Sequence, residues 1–410
     1  MVVQLNQKEQ VDTETGELVI EKTEAELRND DFGLKYADKK MLYEVMSVPS
    51  LSGYEYRMVT YLVMWARKHN VQYEFDNYGN LYFTKGELKE GEYYPCVTAH
   101  LDTVQDKHKA FILAGADLDV RTRLNKENKH ELYVDGIGIG ADDKGAIFIS
   151  LAMIDKIDVI KGAFFLEEEV GMKGSSNLNK SFFDNVGYVV GFDSPDYNRS
   201  AWKCSGTKLF TGDFYKTYMK PVCDKFGYTR FYSEPYTDVK HIVEKAGIMC
   251  MNFCNGGYEA HNQSSEYIVA EETDNALGMG LELVETIGRT RHEIKSTGTS
   301  WVKDENGVYH SNENDDDKYL ATLGDDNRYS SYNYYNYSAN INSSTTNSNL
   351  SNTSKSAKSD GSNNETLMYI VSVYEKRISN IADEIKAKCE MMGIDYDKNF
   401  KSIFETEIKF

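Results

Sequence analysis

Residues 34–290 of this 410-residue chain are predicted to fold as one α/β domain, three layers deep (α/β/α), with helices on either side of a mixed, mostly parallel central sheet. Three observations carry that prediction. Strand-like and helix-like segments alternate along the stretch, the signature of helices laid over a sheet. The later strand candidates are apolar without interruption, as strands covered on both faces are. Clusters of His, Asp and Glu follow several of those apolar runs directly, and open α/β sheets hold their ligands at the carboxyl ends of strands.

Taken in order, 39–46 and 54–69 read as helices, and 71–75 and 81–84 as strands. The link between those strands, Asp76-Asn-Tyr-Gly79, is turn chemistry. The run 94–98 is the next strand, 143–157 a helix, and 162–166, 188–192 and 249–253 are apolar strands. Between the last two, 208–215 and 229–233 are expected to extend the sheet, with a helix over 216–226. The helix over 271–287 repeats Leu277, Leu281 and Val284 at helical spacing.

The flanks differ in character. Residues 1–33 are polar and acidic and are expected to form a disordered leader or adapter arm; they lack the basic-then-apolar pattern of a secretory signal. Asn, Ser, Asp and Tyr dominate 291–364, with Tyr329-Ser-Ser-Tyr-Asn-Tyr-Tyr-Asn-Tyr337 in the middle, so a flexible low-complexity linker is expected there. Residues 365–410 are expected to be a helical tail. In it Leu367, Val371, Tyr374, Ile378, Ile381 and Ile385 are spaced 4, 3, 4, 3 and 4, a heptad seam over 367–385 suited to self-association or to docking on the domain.

A formal net charge of -19 and a pI of about 4.9 argue against nucleic acid or an anionic membrane surface as partner. No run of 18 apolar residues is present, so no transmembrane helix is expected. The six cysteines (Cys96, Cys204, Cys223, Cys250, Cys254 and Cys389) are scattered and read as reduced thiols of a cytoplasmic protein. Cys250 and Cys254 enclose Met-Asn-Phe, which reads as a core strand rather than a thiolate metal site.

Six segments carry the chemistry: Thr98-Ala-His-Leu-Asp102, Gly140-Ala-Asp-Asp-Lys-Gly145, Leu166-Glu-Glu-Glu-Val-Gly171, Gly191-Phe-Asp193, Thr237-Asp238 and Glu259-Ala-His261. Together they offer two imidazoles, several carboxylates and a spare glutamate, enough for a hydrolase to hold two divalent cations and a water. His100 and Asp102 stand two apart at a strand end, so they share a face, and Asp102 can accept the second ring N–H of His100. The glycine-rich stretch from Gly136 fails the spacing of a phosphate loop and of a dinucleotide fingerprint. It instead brings in Asp142, which can bridge two cations or cap the following helix; Asp143 can also be an N-cap. Three adjacent carboxylates after a buried strand are costly without cations. If Glu169 binds metal, Glu168 can point at the water and move protons as general base and acid. Asp193 ends its strand and is the favoured fourth carboxylate, with Asp196 its competitor. His261 has Glu266 and a helix behind it. The other histidines lack comparable settings; His241, nearest to Thr237-Asp238, reads as part of a helix start.

In this order, H-x-D, the Asp142-Asp143-Lys144 segment, Glu168-Glu169-Val-Gly171, a strand-end Asp193 and His261 before Glu266-Tyr-Ile268 resemble the M20 family of dinuclear zinc peptidases and deacylases, its peptidase T branch in particular. Ser50-Leu-Ser-Gly-Tyr-Glu55 and Asp76-Asn-Tyr-Gly-Asn-Leu81 also resemble the opening of that family and of the related M28 and M42 aminopeptidases. The resemblance spans about 36–290 and implies a zinc-dependent exopeptidase-like fold. It implies one metal held by His100, Asp142 and Asp193 and another by Asp142, Glu169 and His261. It makes Glu168 the general base and acid, gives Asp102 the orienting of His100, and implies a cis Asp142–Asp143 peptide. The ions implied are zinc, and Co²⁺ or Mn²⁺ suit the same donors.

One departure stands out. The family inserts a lid and dimerisation domain between the strand-end Asp and the final His, whereas Asp193 and His261 are only 68 positions apart. That is too short for a typical domain of about 100 residues, so a lidless version is expected. The expected activity is hydrolysis of peptide bonds in short peptides from the free N-terminus, by a water between two zinc ions. The substrate α-amine is expected on a metal or on a nearby carboxylate such as Glu167, and the oxyanion on Tyr258 or Tyr267. An N-acyl amino acid deacylase or carboxypeptidase of the same chemistry, and a scaffold that keeps the fold without turnover, are the alternatives.

Overall fold

The structure is a computed structural model and describes residues 32–232 and 235–294, with short stretches at 9–11, 18–20, 301–303, 309–311 and 319–320. Glu9–Val11 pairs antiparallel with Leu18–Ile20, and Trp301–Lys303 with Tyr309–Ser311. Most of the expected leader (1–33) and linker (291–364) lies outside the described residues. So does all of the expected tail (365–410), with its seam over 367–385. The chain divides into two units, Met1–Asn349 and Leu350–Phe410, and the second is wholly outside the described residues.

The domain opens with helices α1 (Lys39–Ser47) and α2 (Tyr56–Lys68), then strands β1 (Gln72–Phe75), β2 (Leu81–Lys85) and β3 (Tyr94–His100). Helix α3 (His108–Ala114), strands β4 (Arg121–Leu124) and β5 (His130–Tyr133) and helix α4 (Ala141–Lys156) follow. Next come β6 (Ile160–Phe165), β7 (Val186–Gly191), β8 (Arg199–Ala201), β9 (Arg230–Tyr232) and α5 (Val239–Ala246). The domain closes with β10 (Cys250–Phe253), β11 (Gly257–Tyr258), β12 (Tyr267–Val269) and α6 (Ala270–Ile287).

Eight strands form the main sheet in the order β9-β8-β10-β7-β3-β6-β2-β1. The central neighbours β10, β7, β3 and β6 are parallel, and every residue of those four strands is buried. Their uninterrupted apolar character follows from cover on both faces. Strands β2 and β1 close one edge antiparallel, and β8 joins β10 antiparallel with β9 parallel beyond it. The β1–β2 turn is held by Asp76, whose Oδ1 accepts the N–H groups of Tyr78, Gly79 and Asn80 at 2.9, 2.9 and 3.0 Å.

Two successive residues of β2 show the layers. Phe83 stacks on Trp65 of α2 at 6.3 Å and meets Phe164 edge-on at 5.0 Å. Tyr82 points the other way, to Phe182 at 4.5 Å and Phe165 at 6.3 Å. Helix α4 is buried almost all round, as a helix between sheet and outer helices must be. Helix α6 packs closely beside it: a Cβ on Gly280 would lie 2.8 Å from Phe192 and 2.9 Å from Met153 Sδ. A second, antiparallel sheet, β11-β12-β5-β4, lies against α4 and α6.

One expected element is wrong. The stretch 208–215 is not part of the main sheet: Thr207–Lys208 forms a two-stranded ribbon with Lys203–Cys204. Thr211 then caps a helical segment that runs through 226, its side chain accepting from the N–H of Phe214. The residues between Asp193 and His261 supply β8, β9, β10 and α5, all joined to or packed on the main sheet.

Candidate metal centre

Strands β3, β6 and β7 lie side by side and parallel, with His100 level with Phe165 and Thr98 level with Gly191. Their carboxyl ends open on one edge of the sheet. The residues that continue them, His100 to Asp102, Glu167 to Glu169 and Asp193, converge there. Asp142 enters at the start of α4 and His261 from the loop after β11.

Asp142 sits between the two imidazoles. Its Oδ1 is 3.0 Å from His100 Nε2 and its Oδ2 is 3.2 Å from His261 Nε2. Glu169 Oε1 is 3.2 Å from the same His261 nitrogen, and Asp193 Oδ1 is 3.9 Å from His100 Nε2. Donor atoms of His100, Asp142 and Glu169 lie within 4.8 Å of one another, with His261 against Asp142 and Glu169 and with Asp193 beside His100. Asp143 also belongs to a group with His100 and Asp193 whose donor atoms lie within 4.8 Å of one another. Its carboxyl is engaged elsewhere, however: Oδ2 accepts the backbone N–H of His100 at 3.1 Å and Oδ1 the side-chain amide of Asn255 at 3.4 Å. Asp143 is thus a brace for His100 and not a helix cap. The Asp142–Asp143 peptide is cis.

Two buried carboxylates hold the backbone of the centre. Asp102 lies with Oδ1 3.3 Å from His100 Nδ1. The same carboxylate accepts the N–H of Glu168 at 2.9 Å, the N–H of Glu169 at 3.2 Å and the hydroxyl of Ser52 at 2.7 Å. It flanks the His100 ring, whose Nδ1 also meets the Asp102 backbone C=O at 3.1 Å, and it ties down the Glu168-Glu169 segment. Glu266 accepts from the N–H of Gly140 at 2.6 Å, the N–H of Asp142 at 3.2 Å and the amide of Gln105 at 2.7 Å, and so carries the approach to Asp142. The loops on either side adopt left-handed backbone at non-glycine residues: Glu167 (φ 52°), Met172 (50°), Glu259 (55°) and His261 (67°). Each costs about 1–2 kcal/mol, and such strain concentrates where side chains must be aimed.

Acid outweighs base in this buried space. Burial pushes the Asp193 carboxyl up to about 8, Asp238 to about 7 and Glu266 to about 8, and lifts Glu168 well above the carboxylate range. Burial would lower the pKa of His261, but Glu169 and Asp142 outweigh it and raise it to about 12. His100 is raised likewise, burial being overcome by Asp102 and Asp142. Asp193 Oδ2 is buried with no hydrogen-bond partner. Cations are what such a site lacks, and imidazole nitrogen with carboxylate oxygen is the donor set of Zn²⁺, Co²⁺ or Mn²⁺. The residues present fit a divalent ion of this kind.

If Asp102 orients His100, Asp102→Asn should weaken metal binding about 10–100-fold, because an amide NH₂ would face the N–H donors of Glu168 or Glu169. Competition against a chelator of known affinity measures it. A variant within threefold of the parent protein would remove Asp102 from that role.

The other residues singled out in the sequence lie apart from this cluster, His241 and the cysteines as expected. The Glu167 carboxylate accepts from the Tyr78 hydroxyl and lies 3.8 Å from Lys173 Nζ, so it is already occupied. The Tyr258 hydroxyl donates to Glu272 at 2.6 Å, and its ring stacks on Tyr267 at 5.3 Å, which turns it from the metal ligands. Asp196 pairs with Arg199 at 3.1 Å. His241 lies within α5 and contacts the Ser175 hydroxyl at 2.9 Å. Cys250 lies in β10 with Cys254 just beyond it, both buried, and the thiols of Cys96, Cys204 and Cys223 are free and buried as well. The bracing roles of Asp143, Glu266 and Asn255 had no local sequence signal beyond their closeness to the ligands.

No protein-family model matches the chain. Over 178 residues it is 23% identical to the cytosol non-specific dipeptidase of Escherichia coli (strain K12), covering 42% of this chain and 36% of that protein, about a third of the relative's length. Among solved structures, the aminopeptidase PepT of Bacillus cereus ATCC 10987 is 16% identical, with a TM-score of 0.48 over 62% of this chain and 100% of that one. A tripeptidase of Staphylococcus aureus subsp. aureus Mu50 is 14% identical, with a TM-score of 0.47 over 62% and 99%. Among the described residues no helix is long and apolar enough to cross a membrane.

Proposed function

We propose that the chain is a dinuclear metallopeptidase that removes residues from the free N-terminus of short peptides, with an M20-like centre on a core without the family's lid. The observation that carries this reading is Asp142, whose two oxygens are shared between His100 and His261 at 3.0 and 3.2 Å, beside the Glu168-Glu169 pair. The dipeptidase, aminopeptidase and tripeptidase named above act on peptides by their descriptions, which agrees with it. Two divalent ions at this centre, zinc for preference, would supply Lewis acidity to a substrate carbonyl and acidify a water. Glu168 takes the proton of the attacking water and returns it to the leaving amine. Its backbone N–H is tied to Asp102, and its C=O accepts the N–H groups of Gly171 and Met172 at 2.9 and 2.6 Å, so the side chain moves a proton from a fixed stem. The buried free thiols suit a reducing cytoplasm.

Metal analysis joined to a peptide panel tests the reading. Two ions per chain are expected, and free dipeptides are expected to exceed their N-acetyl forms by about 100-fold or more in kcat/KM, as for a site built around a polar substrate group. Equal cleavage of blocked and free forms would favour the deacylase or carboxypeptidase reading. Bound metal with no turnover on any peptide would favour a scaffold.

A further inference from the structure

One carboxylate at the centre has neither a metal to hold nor a proton to move. Asp238 stands at the N-terminus of α5, the position where aspartate ordinarily accepts from the first N–H groups of the helix. Its side chain makes no such bond. It is 2% exposed, and neither carboxylate oxygen has a hydrogen-bond partner. The nearby Ser175 hydroxyl is turned to the C=O of Met172 and to His241.

The packing of α5 shows where Asp238 lies. The next residue, Val239, rests on the ends of β7 and β3: a Cβ built on Gly191 would touch Val239 Cγ1 and Thr98 Cγ2, each at 3.2 Å. Gly191 and Thr98 are each two residues short of Asp193 and His100. Asp238 is thereby set beside those ligands, and its charge acts on both Glu168 and Asp193. A buried carboxylate without donors is a receptor for a cation that brings its own.

We infer that Asp238 binds the α-ammonium group of the substrate and thereby sets the requirement for a free N-terminus. This rests on the peptidase reading above but assigns to Asp238 what that reading leaves open, since Glu167 is occupied by Tyr78 and Lys173. The ammonium supplies donors that the Asp238 oxygens lack. An acyl-blocked nitrogen has neither the charge nor the donors, and leaves a buried carboxylate unsatisfied.

Calorimetric titration of the zinc-loaded full chain with L-alanine amide and with N-acetyl-L-alanine amide tests the inference without turnover. The parent protein is expected to prefer the free amine. D238N is expected to bind it about 10- to 100-fold more weakly, to bind the acetylated form as before, and to keep two zinc ions and its melting temperature. Asp238→Ser should repeat the pattern. Free-amine binding within threefold of the parent protein, an equal loss for both probes, or no preference in the parent protein would each overturn the assignment. So would loss of zinc from both variants, which would make Asp238 a support of the metal site. Amine binding through Asp238 in a protein that hydrolyses no peptide would instead overturn the peptidase reading and leave this one standing.

Discussion

Glu168→Gln is expected to lower kcat on a free dipeptide by about 10²- to 10⁴-fold, the span of a lost general base, with two ions still bound. The substitution is nearly isosteric, and the bonds that hold residue 168 are made by its backbone: N–H to Asp102, C=O to Gly171 and Met172. The neighbouring Glu169 stays where it is. Substrate binding should change little, so the loss falls on kcat and not on KM. Steady-state kinetics with metal analysis of the same sample decides it. A kcat within tenfold of the parent protein, with both ions present, would remove Glu168 from the proton transfer.

Asp142→Ala is expected to empty both sides of the centre. Among the described carboxylates Asp142 lies closest to both imidazoles, at 3.0 and 3.2 Å, whereas Glu169 is 3.2 Å from His261 and within 4.8 Å of His100, and Asp193 is 3.9 Å from His100. Metal content should fall from two ions to none, and turnover below about 10⁻⁴ of the parent protein. A ligand present at a thousand times its Kd stabilises a fold by about 4 kcal/mol, which in a domain of this size is about 8–16 °C in Tm. A chelator should therefore lower the Tm of the parent protein by that order and leave Asp142→Ala unmoved. Retention of one ion by the variant would show that the two sides bind independently.

The parts of the fold that were legible are those whose signal is local. The buried runs of β3, β6, β7 and β10 are continuous in sequence, and the hydrophilic residues that end them are the ones the structure gathers. Asp142 and His261, brought in from a helix start and a loop, were found by type and order. The small sheet was not legible. Arg121–Leu124 and His130–Tyr133 are short and charged, and β5 finds its partner in β12 across more than a hundred residues. The stretch 208–215 reads as a strand by its apolar content, and Thr211 followed by Asp213 was the helix-start signal that outranked it. Asp143 looks like a helix cap in sequence because capping is its commonest use; only the turn of its side chain to His100 and Asn255 shows another.

The centre also draws on chain that is far apart. His100 and His261 stand 161 positions from each other, and β6, β7 and β10 lie between them. Those strands must be side by side before the two imidazoles can share Asp142, and the entropy of closing so long a loop is spent first. Ions that share Asp142 need that assembly and cannot guide the early chain; they bind what is already in place. Contacts made after the rate-limiting step slow unfolding and leave the folding rate alone. Metals bound at this centre are thus expected to act on the protein's lifetime: a chain that has once closed around them would stay closed, and resist proteolysis, for longer than its equilibrium stability alone would allow.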